Sequence, residues 1–507
     1  MHSTLLAFDI GTSGLKASLV DENLNIIRNV TTSYPTHHYP NGGCEQEAAD
    51  WWMSAVRAMM MLRELAPEYV KRVDAIGVSG HMLGLLPMDR EGQVLRPAMI
   101  RRDTRAKAVT ETLLDRFGAD YFYRISGNVL TPNLTLSKAV WLHENEPEVY
   151  AKTYKMLNCK DYIILRLTGK MATEFSDAGG TAILDINKLE WSDEILDAAG
   201  IEKDKMPELL PSTHMIGGVT KEAAAQCGLL EGTPVVMGGG DGCCAAVGAA
   251  SIDVGGAYCC IGSSSWVMFN DTKPVFDENM LTFNWPSLVP GLISPCGTMQ
   301  AAGVSYAWMR ENICTKEIAD AKATGRSVYD LINEQIAQAE PGCNGLIYLP
   351  YIMGERSPRW NPNAKGAFIG IKTEHTRKEL LRSVMEGVTM NLNVIYKIFS
   401  KNFKFDEILL IGGGAKSPVW MQMLADVFGI NVMKPNYIEE ATSMGAAITA
   451  GVGVGLFEDF HAIHKFLKVE ETIKPNMKNH ERYEQVMPVF NQAYFALLDV
   501  YESLAKL

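Results

Sequence analysis

The sequence predicts an α/β protein assembled from two related halves. Three observations carry that expectation. Short apolar, β-prone runs alternate with stretches of helical apolar spacing along the 507 residues. The chain opens with strand, small-residue turn, strand, and the same scheme returns near Gly255. A later strand, residues 407–411, runs into Gly412-Gly413-Gly414-Ala415 and then into a helical stretch over 418–428.

Taken in order, residues 5–10 read as a strand, Gly11-Thr12-Ser13-Gly14 as a turn and residues 15–20 as a second strand. Asp21-Glu22-Asn23 turns the chain into a third strand over 24–27. Residues 51–65 have helical spacing; 75–79 and 85–88 read as strands, with Gly80-His81-Met82-Leu83-Gly84 between them. Helices dominate from about 106 to 167. A strand over 233–237 exits through Gly238-Gly239-Gly240-Asp241-Gly242. The second half opens with a strand over 257–261, the turn Gly262-Ser263-Ser264-Ser265 and a strand over 266–269. Residues 478–507 read as a C-terminal helix with one apolar face.

Apolar residues make up 47% and charged residues 21%, enough to bury a large core and too apolar for a disordered chain. A net charge of -12 gives no long-range attraction to nucleic acid or to an anionic membrane. The ten cysteines form no CxxC pair and no zinc-type spacing, so buried reduced thiols are expected. Asp9 interrupts the early apolar run and no basic segment precedes it, which argues against a signal peptide. No run is long and apolar enough to span a bilayer, and a cytoplasmic protein is expected.

Residues 9–16, DIGTSGLK, suit phosphate. Glycines let backbone N–H groups converge on oxygens without obstruction by Cβ, Thr12 and Ser13 add hydroxyls, and Lys16 adds charge. Asp9 is placed to hold a hydrated Mg²⁺. An ordinary hairpin turn is the alternative. Gly262-Ser263-Ser264 repeats the device, and the turn at 412–415 leads into a helix N-terminus suited to a nucleotide. Asp241, on a glycine-rich strand exit, is either a base accepting a hydroxyl proton in phosphoryl transfer or a helix cap.

These residues match a known pattern: the chain resembles the FGGY carbohydrate kinases over nearly its whole length. Residues 366–386, GAFIGIKTEHTRKELLRSVME, fit the family's C-terminal signature. The segment from Thr135 to Leu142 fits the earlier one except at Ala139. The segment from Leu349 to Pro358, and Cys44-Glu45-Gln46 followed by Trp51-Trp52, are similar to the xylulokinase-like branch. The resemblance implies two RNase H-like domains of the actin and hexokinase type flanking a deep cleft. Residues 1–250 would hold the sugar site and first phosphate element, and 251–507 the second phosphate and adenosine elements with the C-terminal helix. It implies ATP and Mg²⁺, a small sugar or polyol as partner, and a homodimer as the common assembly. By motif match, Gly11, Thr12, Ser13 and Lys16 fall in the first phosphate element and Gly262, Ser263 and Ser264 in the second. Gly413, Gly414 and Ala415 fall in the adenosine element with Gly303 nearby; Asp241 falls at the base, and Asp9 with Asp241 at the metal.

The chain departs from that branch in the sugar pocket. The usual Gly-Gln-Met-His-Gly loop is Gly80-His81-Met82-Leu83-Gly84, so Leu83 replaces a hydrogen-bonding His. The usual Trp-Asn-Asp is Arg101-Arg102-Asp103, and Gly242 follows the base where Asn or Gln is usual. His81, Met82, Leu83, Arg102, Asp103 and Asp241 are the candidate acceptor contacts, with Arg101 an alternative to Arg102. The departures predict an acceptor other than D-xylulose: a different ketopentose, a polyol or an aldonate. A kinase of a signalling diol, a non-catalytic sugar or nucleotide sensor and an ATP-driven scaffold are the competing readings.

Overall fold

The computed structural model describes residues 3–401 and 403–507. The first half is built on a six-stranded sheet. Strands β1 (Thr4–Ile10), β2 (Gly14–Asp21) and β3 (Ile26–Ser33) form an antiparallel meander. Helix α1 (Ala48–Leu65) leads to β4 (Val73–Gly80), which lies parallel to β1. A largely helical stretch containing α2 (Thr135–Asn145) precedes β5 (Met215–Gly218), β6 (Pro234–Gly240) and α3 (Asp241–Gly248). The sheet order is β5-β6-β4-β1-β2-β3.

The second half repeats the plan. It runs β7 (Ala257–Ile261), β8 (Ser265–Phe269), β9 (Phe283–Pro286), β10 (Ile293–Met299), α4 (Gly303–Asn312), α5 (Arg377–Phe399) and β11 (Glu407–Ile411). It continues through α6 (Pro418–Phe428), β12 (Asn431–Pro435), α7 (Ala441–Gly453) and β13 (Val469–Ile473) to α8 (Met477–Ala496) and α9 (Leu498–Leu504). The order β9-β10-β8-β7-β11-β12-β13 contains the same five-strand core, a meander followed by two parallel strands, as β3-β2-β1-β4-β6.

Both faces of the first sheet are buried, which is why β1 reads as a nearly continuous apolar run. Leu6, Phe8 and Ile10 pack with Trp51, Ala55 and Met59 of α1. Leu5 and Ala7 point the other way, into a cluster with Ala446, Ala447 and Ala450 of α7. The helix covering the inner face of the first sheet therefore comes from the second half of the chain. Where α3 and α7 cross, backbone meets backbone. A Cβ on Gly248 would lie 1.9 Å from the Ala441 carbonyl oxygen, and one on Gly445 would lie 1.9 Å from that of Cys244.

Two elements differ from expectation. The third strand spans Ile26–Ser33 rather than 24–27. Leu24 sits buried in the preceding turn at φ 63, because the Asp21 carboxylate accepts hydrogen bonds from the backbone of Asn23 and Asn25 and closes the loop there. The C-terminal helix is two helices broken at Leu497. All ten cysteines are free and buried, and among the described residues no helix is long and apolar enough to cross a membrane.

Gly445→Val is expected to lower stability by about 3 kcal/mol, since neither helix backbone can yield to a new side chain. Urea unfolding measures it; an unchanged midpoint would mean that the crossing is not close.

Candidate active site

Each half carries one small-residue hairpin turn of similar construction. In the first, Gly11 N–H donates to the Gly14 carbonyl at 2.9 Å; in the second, Gly262 N–H donates to the Ser264 carbonyl at 3.0 Å. Thr12 and Ser13 stand at the outer edge of the first turn, Ser263 and Ser264 at that of the second. Helix α4 begins directly against the second turn: Gly303 N–H donates to the Gly262 carbonyl at 2.9 Å, and a Cβ on Gly303 would lie 2.4 Å from that same oxygen. The turn after β11 packs beneath. Gly412 has φ 84, Gly413 has open space where a Cβ would point, and Gly414 sits against Ile261 just before the second turn. Ala415 is buried and Ser417 caps α6. Lys16 Nζ donates to the Glu439 carbonyl at 3.0 Å, tying the first hairpin to the segment ahead of α7.

Asp241 is the first residue of α3; the cap position belongs to Gly240. The glycines before it are there for close approach. A Cβ on Gly238 would lie 1.9 Å from the Val78 carbonyl oxygen, and one on Gly240 would lie 2.5 Å from Met82 Sδ. A register shift between β6 and β4 at this point turns Asp241 outward. Its Oδ1 accepts from Gly242 N–H at 2.9 Å and its Oδ2 from Arg101 Nη1 at 3.0 Å. Arg101 Nη2 donates to Thr12 Oγ1 at 2.7 Å, so one guanidinium links the candidate base to the first hairpin turn.

Asp9, one residue before the end of β1, lies opposite Lys16 and beside Ser79. Burial, reinforced by the negative charge of Asp241, pushes its carboxyl up to about 6, against the pull of Lys16 and Arg101. A carboxylate whose charge its neighbour disfavours suits a hydrated divalent cation, which needs only one or two protein carboxylates when phosphates supply the rest. Among the described residues no cluster of three or more His, Cys, Asp or Glu side chains could hold a metal by itself.

A cavity of about 110 Å³ opens beside Asp241. Met82, Leu83, Met268, Trp266 and Trp285 give it apolar walls, and Arg101, Ser264, Thr298, Gln300 and Arg356 give it polar groups. Of the candidate acceptor contacts, Met82, Leu83 and Asp241 line it, whereas His81, Arg102 and Asp103 do not. His81 is buried edge-on against Trp51, and burial, with Arg101 and Lys138 adding to it, lowers its pKa to about 3. Arg102 is exposed, and its neighbour Arg101 faces the cavity. Asp103 is buried, bonding Cys44 N–H at 2.8 Å and the Arg105 guanidinium at 2.6 Å. Arg356, Gln300, Trp266 and Trp285 are contributed by the second half and were not singled out from the sequence. The segment from Leu349 to Pro358 was the signal that held Arg356.

A second layer fixes these loops. Gln46 Nε2 donates to the Thr12 carbonyl at 2.7 Å, and Trp51 Nε1 donates to Gln46 Oε1 at 2.9 Å. Arg105 also pairs with Glu45 at 2.7 Å. Lys138, fully buried on α2, donates to the carbonyls of Leu83 at 2.6 Å, Ile100 at 2.9 Å and Asn133 at 2.6 Å. One ammonium thus nails down both acceptor loops. Burial brings it down to about 7, with Asp103 opposing.

Comparison with known proteins agrees with this geometry. The model of the FGGY family of carbohydrate kinases, N-terminal domain, matches residues 4–248, and that of the C-terminal domain matches 257–454. The xylulose kinase of Bacillus subtilis (strain 168) is 32% identical over 502 residues, covering 99% of this chain and 98% of the relative. A ligand-bound xylulose kinase from Lactobacillus acidophilus superposes with TM-score 0.92 at 26% identity, over 99% of this chain and 100% of the other. A gluconate kinase from Lactobacillus acidophilus does so with TM-score 0.93, also at 26% identity, over 99% of this chain and 100% of the other.

Lys138→Met is expected to take a donor from three carbonyls, of which Ile100 keeps the Asp103 N–H, lowering stability by about 3 kcal/mol and raising the acceptor KM. Urea unfolding and steady-state kinetics check this; parental values for both would show the loops to be held by other means. For Asp9, the folded protein penalises the ionised form. That penalty is full above pH ~6 and fades as pH falls to the ordinary carboxylate value of about 4. Asp9→Asn should therefore raise the Tm of the ligand-free protein at pH 8, with the gain shrinking by pH 5. A gain independent of pH would contradict the assignment.

Proposed function

The chain belongs to the FGGY family of carbohydrate kinases and is an ATP-dependent sugar kinase, and from that premise we propose how it acts. The γ-phosphoryl group of ATP passes directly to a hydroxyl of a small sugar-derived acceptor (a ketose, a polyol or an aldonate), with Asp241 as base. The observation that carries the proposal is the placement of Asp241. Its carboxylate opens into a cavity shared with Ser264 of the second turn and is bridged by Arg101 to Thr12 of the first.

The acceptor lies on Met82 and Leu83 between Trp266 and Trp285. Asp241 takes the hydroxyl proton as the oxygen's electron pair forms the new bond to phosphorus, and the bond from phosphorus to the ADP oxygen breaks. The turns at Gly11–Ser13 and Gly262–Ser264 cradle the phosphates with their N–H groups, Gly303 adds the N-terminus of α4, and the turn at Gly413–Ala415 takes the adenosine. Lys16 and Arg101 balance charge near the transferring group. Asp9 and Asp241 would hold Mg²⁺, whose contribution when bound is to neutralise the phosphate oxygens. Division of the chain near residue 250 puts the base in one half and the second phosphate turn in the other, so closure of the halves would exclude water at the moment of transfer.

Asp241→Ala is expected to lower kcat by about 10³-fold while ATP affinity stays near the parental value. Coupled measurement of ADP release over a panel of ketoses, polyols and aldonates, with ATP binding followed by calorimetry, tests it. Turnover above a tenth of the parental rate would remove Asp241 from the role of base. D-xylulose as best acceptor would show that the changes at Leu83, Arg101 and Gly242 do not set selectivity.

A further inference from the structure

The acceptor cavity holds an imbalance of charge. Its charged lining residues are Arg101, Arg356 and Asp241, two guanidiniums against one carboxylate. Arg101 spends its bonds on Asp241 and Thr12. Arg356 has no such partner: its backbone N–H donates to Glu355 Oε1 at 2.9 Å, but among the described residues its guanidinium makes no hydrogen bond or ion pair. The adjacent Glu355 favours its charge from nearby but forms no ion pair with it. Its carboxylate is turned to Gln300 N–H at 2.8 Å and Asn391 Nδ2 at 2.8 Å, and burial pushes it up to about 8. Desolvation, followed by the positive charge of Arg101, lowers the Arg356 pKa.

A guanidinium that is partly desolvated and unpaired is unfavourable until an anion meets it. The imbalance deepens in turnover, because Asp241 loses its charge on accepting the proton. Neutral hydroxyls can accept hydrogen bonds from Arg356 but cannot cancel its charge, whereas a carboxylate does both and matches the planar fork. We infer that the acceptor is a small polyhydroxy carboxylate, an aldonate, whose carboxylate is received by Arg356 within reach of Arg101. The inference rests on the kinase reading and narrows its acceptor class. Arg356 is then a specificity-determining residue, while Met82, Leu83 and the two tryptophans hold the carbon chain.

The test compares matched pairs, D-gluconate with D-glucitol and D-xylonate with xylitol, together with D-xylulose, in parent, Arg356→Met and Arg356→Lys. In the parent, kcat/KM for an aldonate should exceed that for its polyol by about 100-fold, the size expected of a hydrogen-bonded charge pair. Arg356→Met should erase that ratio through the aldonate KM and leave the ATP KM unchanged, and Arg356→Lys should keep part of it. A measurement on the parent alone needs no variant: D-gluconate should raise its Tm more than D-glucitol at equal concentration. A polyol or D-xylulose preferred by the parent would overturn the inference and leave the kinase reading standing. So would an Arg356→Met loss equal for all acceptors or expressed in the ATP KM. ADP release stimulated by no acceptor would overturn both.

Discussion

Side chains are excluded where α3 crosses α7, and the active site depends on that exclusion. Gly248 and Gly445 let each helix press on a carbonyl of the other, and Gly77 of β4 does the same beneath Ala446, where a Cβ would lie 2.1 Å from the carbonyl oxygen. Asp241 is the first residue of one of these helices. Glu439, whose carbonyl holds Lys16, lies just ahead of the other. The contact that fuses the halves therefore also sets the spacing between Asp241 and the first hairpin turn. Close-packed interiors transmit displacement rather than absorb it, so a shift at the crossing is a shift at the site.

Around this frame the polar groups that matter are the buried ones. Lys71 and Glu68 are paired at 3.5 Å, yet both side chains are about 70% exposed, and such a pair contributes little. Lys138 is wholly buried and its three donors meet three carbonyls, so removing it takes a donor from Leu83 and Asn133 and leaves Ile100 with the Asp103 N–H alone. Gln46 and Trp51 do for the first phosphate turn what Lys138 does for the acceptor loops. In the family's C-terminal signature the same economy serves the fold. Arg382 and Glu386 bond each other and Tyr483, locking α5 to α8 away from the cavity.

How much of this was legible from sequence varies with the physics of each element. Strand β11, the glycine turn and α6 were readable to the residue, because an apolar run, a turn and a capped helix follow one another there. Strand β3 was misplaced because its apolar start, Leu24, is spent in the turn, while the strand itself carries Arg28, Asn29, Thr31 and Thr32, with Arg28, Asn29 and Thr31 exposed. The glycines of the phosphate turns and Asp241 were visible because only close backbone approach explains them. The acceptor wall was not. Adjacent residues Arg101 and Arg102 differ only in which way the loop faces, and that is decided by Asn133 holding the Arg101 carbonyl and by Asp103 being pulled inward by Arg105. His81 was offered as a sugar contact, but its backbone N–H continues the β-ladder to Ile10 and carries the ring onto Trp51. Trp285, Gln300 and Arg356 reach the cavity only through tertiary closure, which no local pattern records.

The ligand-free site is electrostatically ill-matched in several places at once. Asp9 resists ionisation beside Asp241, Asp241 is occupied by Arg101, and the Arg356 guanidinium has no ion-pair partner among the described residues. On the proposed mechanism each mismatch involves a group that needs what the reactants would bring: a cation for the two carboxylates, phosphate oxygens for Arg101 and an acceptor for Arg356. Stability is surrendered at these positions, and the glycine-packed crossing offsets it elsewhere. A pocket preorganised in this way binds its reactants by relief of existing misfit. It also leaves Arg101 with two partners to choose between, so that arrival of phosphate at Thr12 would draw the guanidinium away and free the Asp241 carboxylate when an acceptor proton is to be taken.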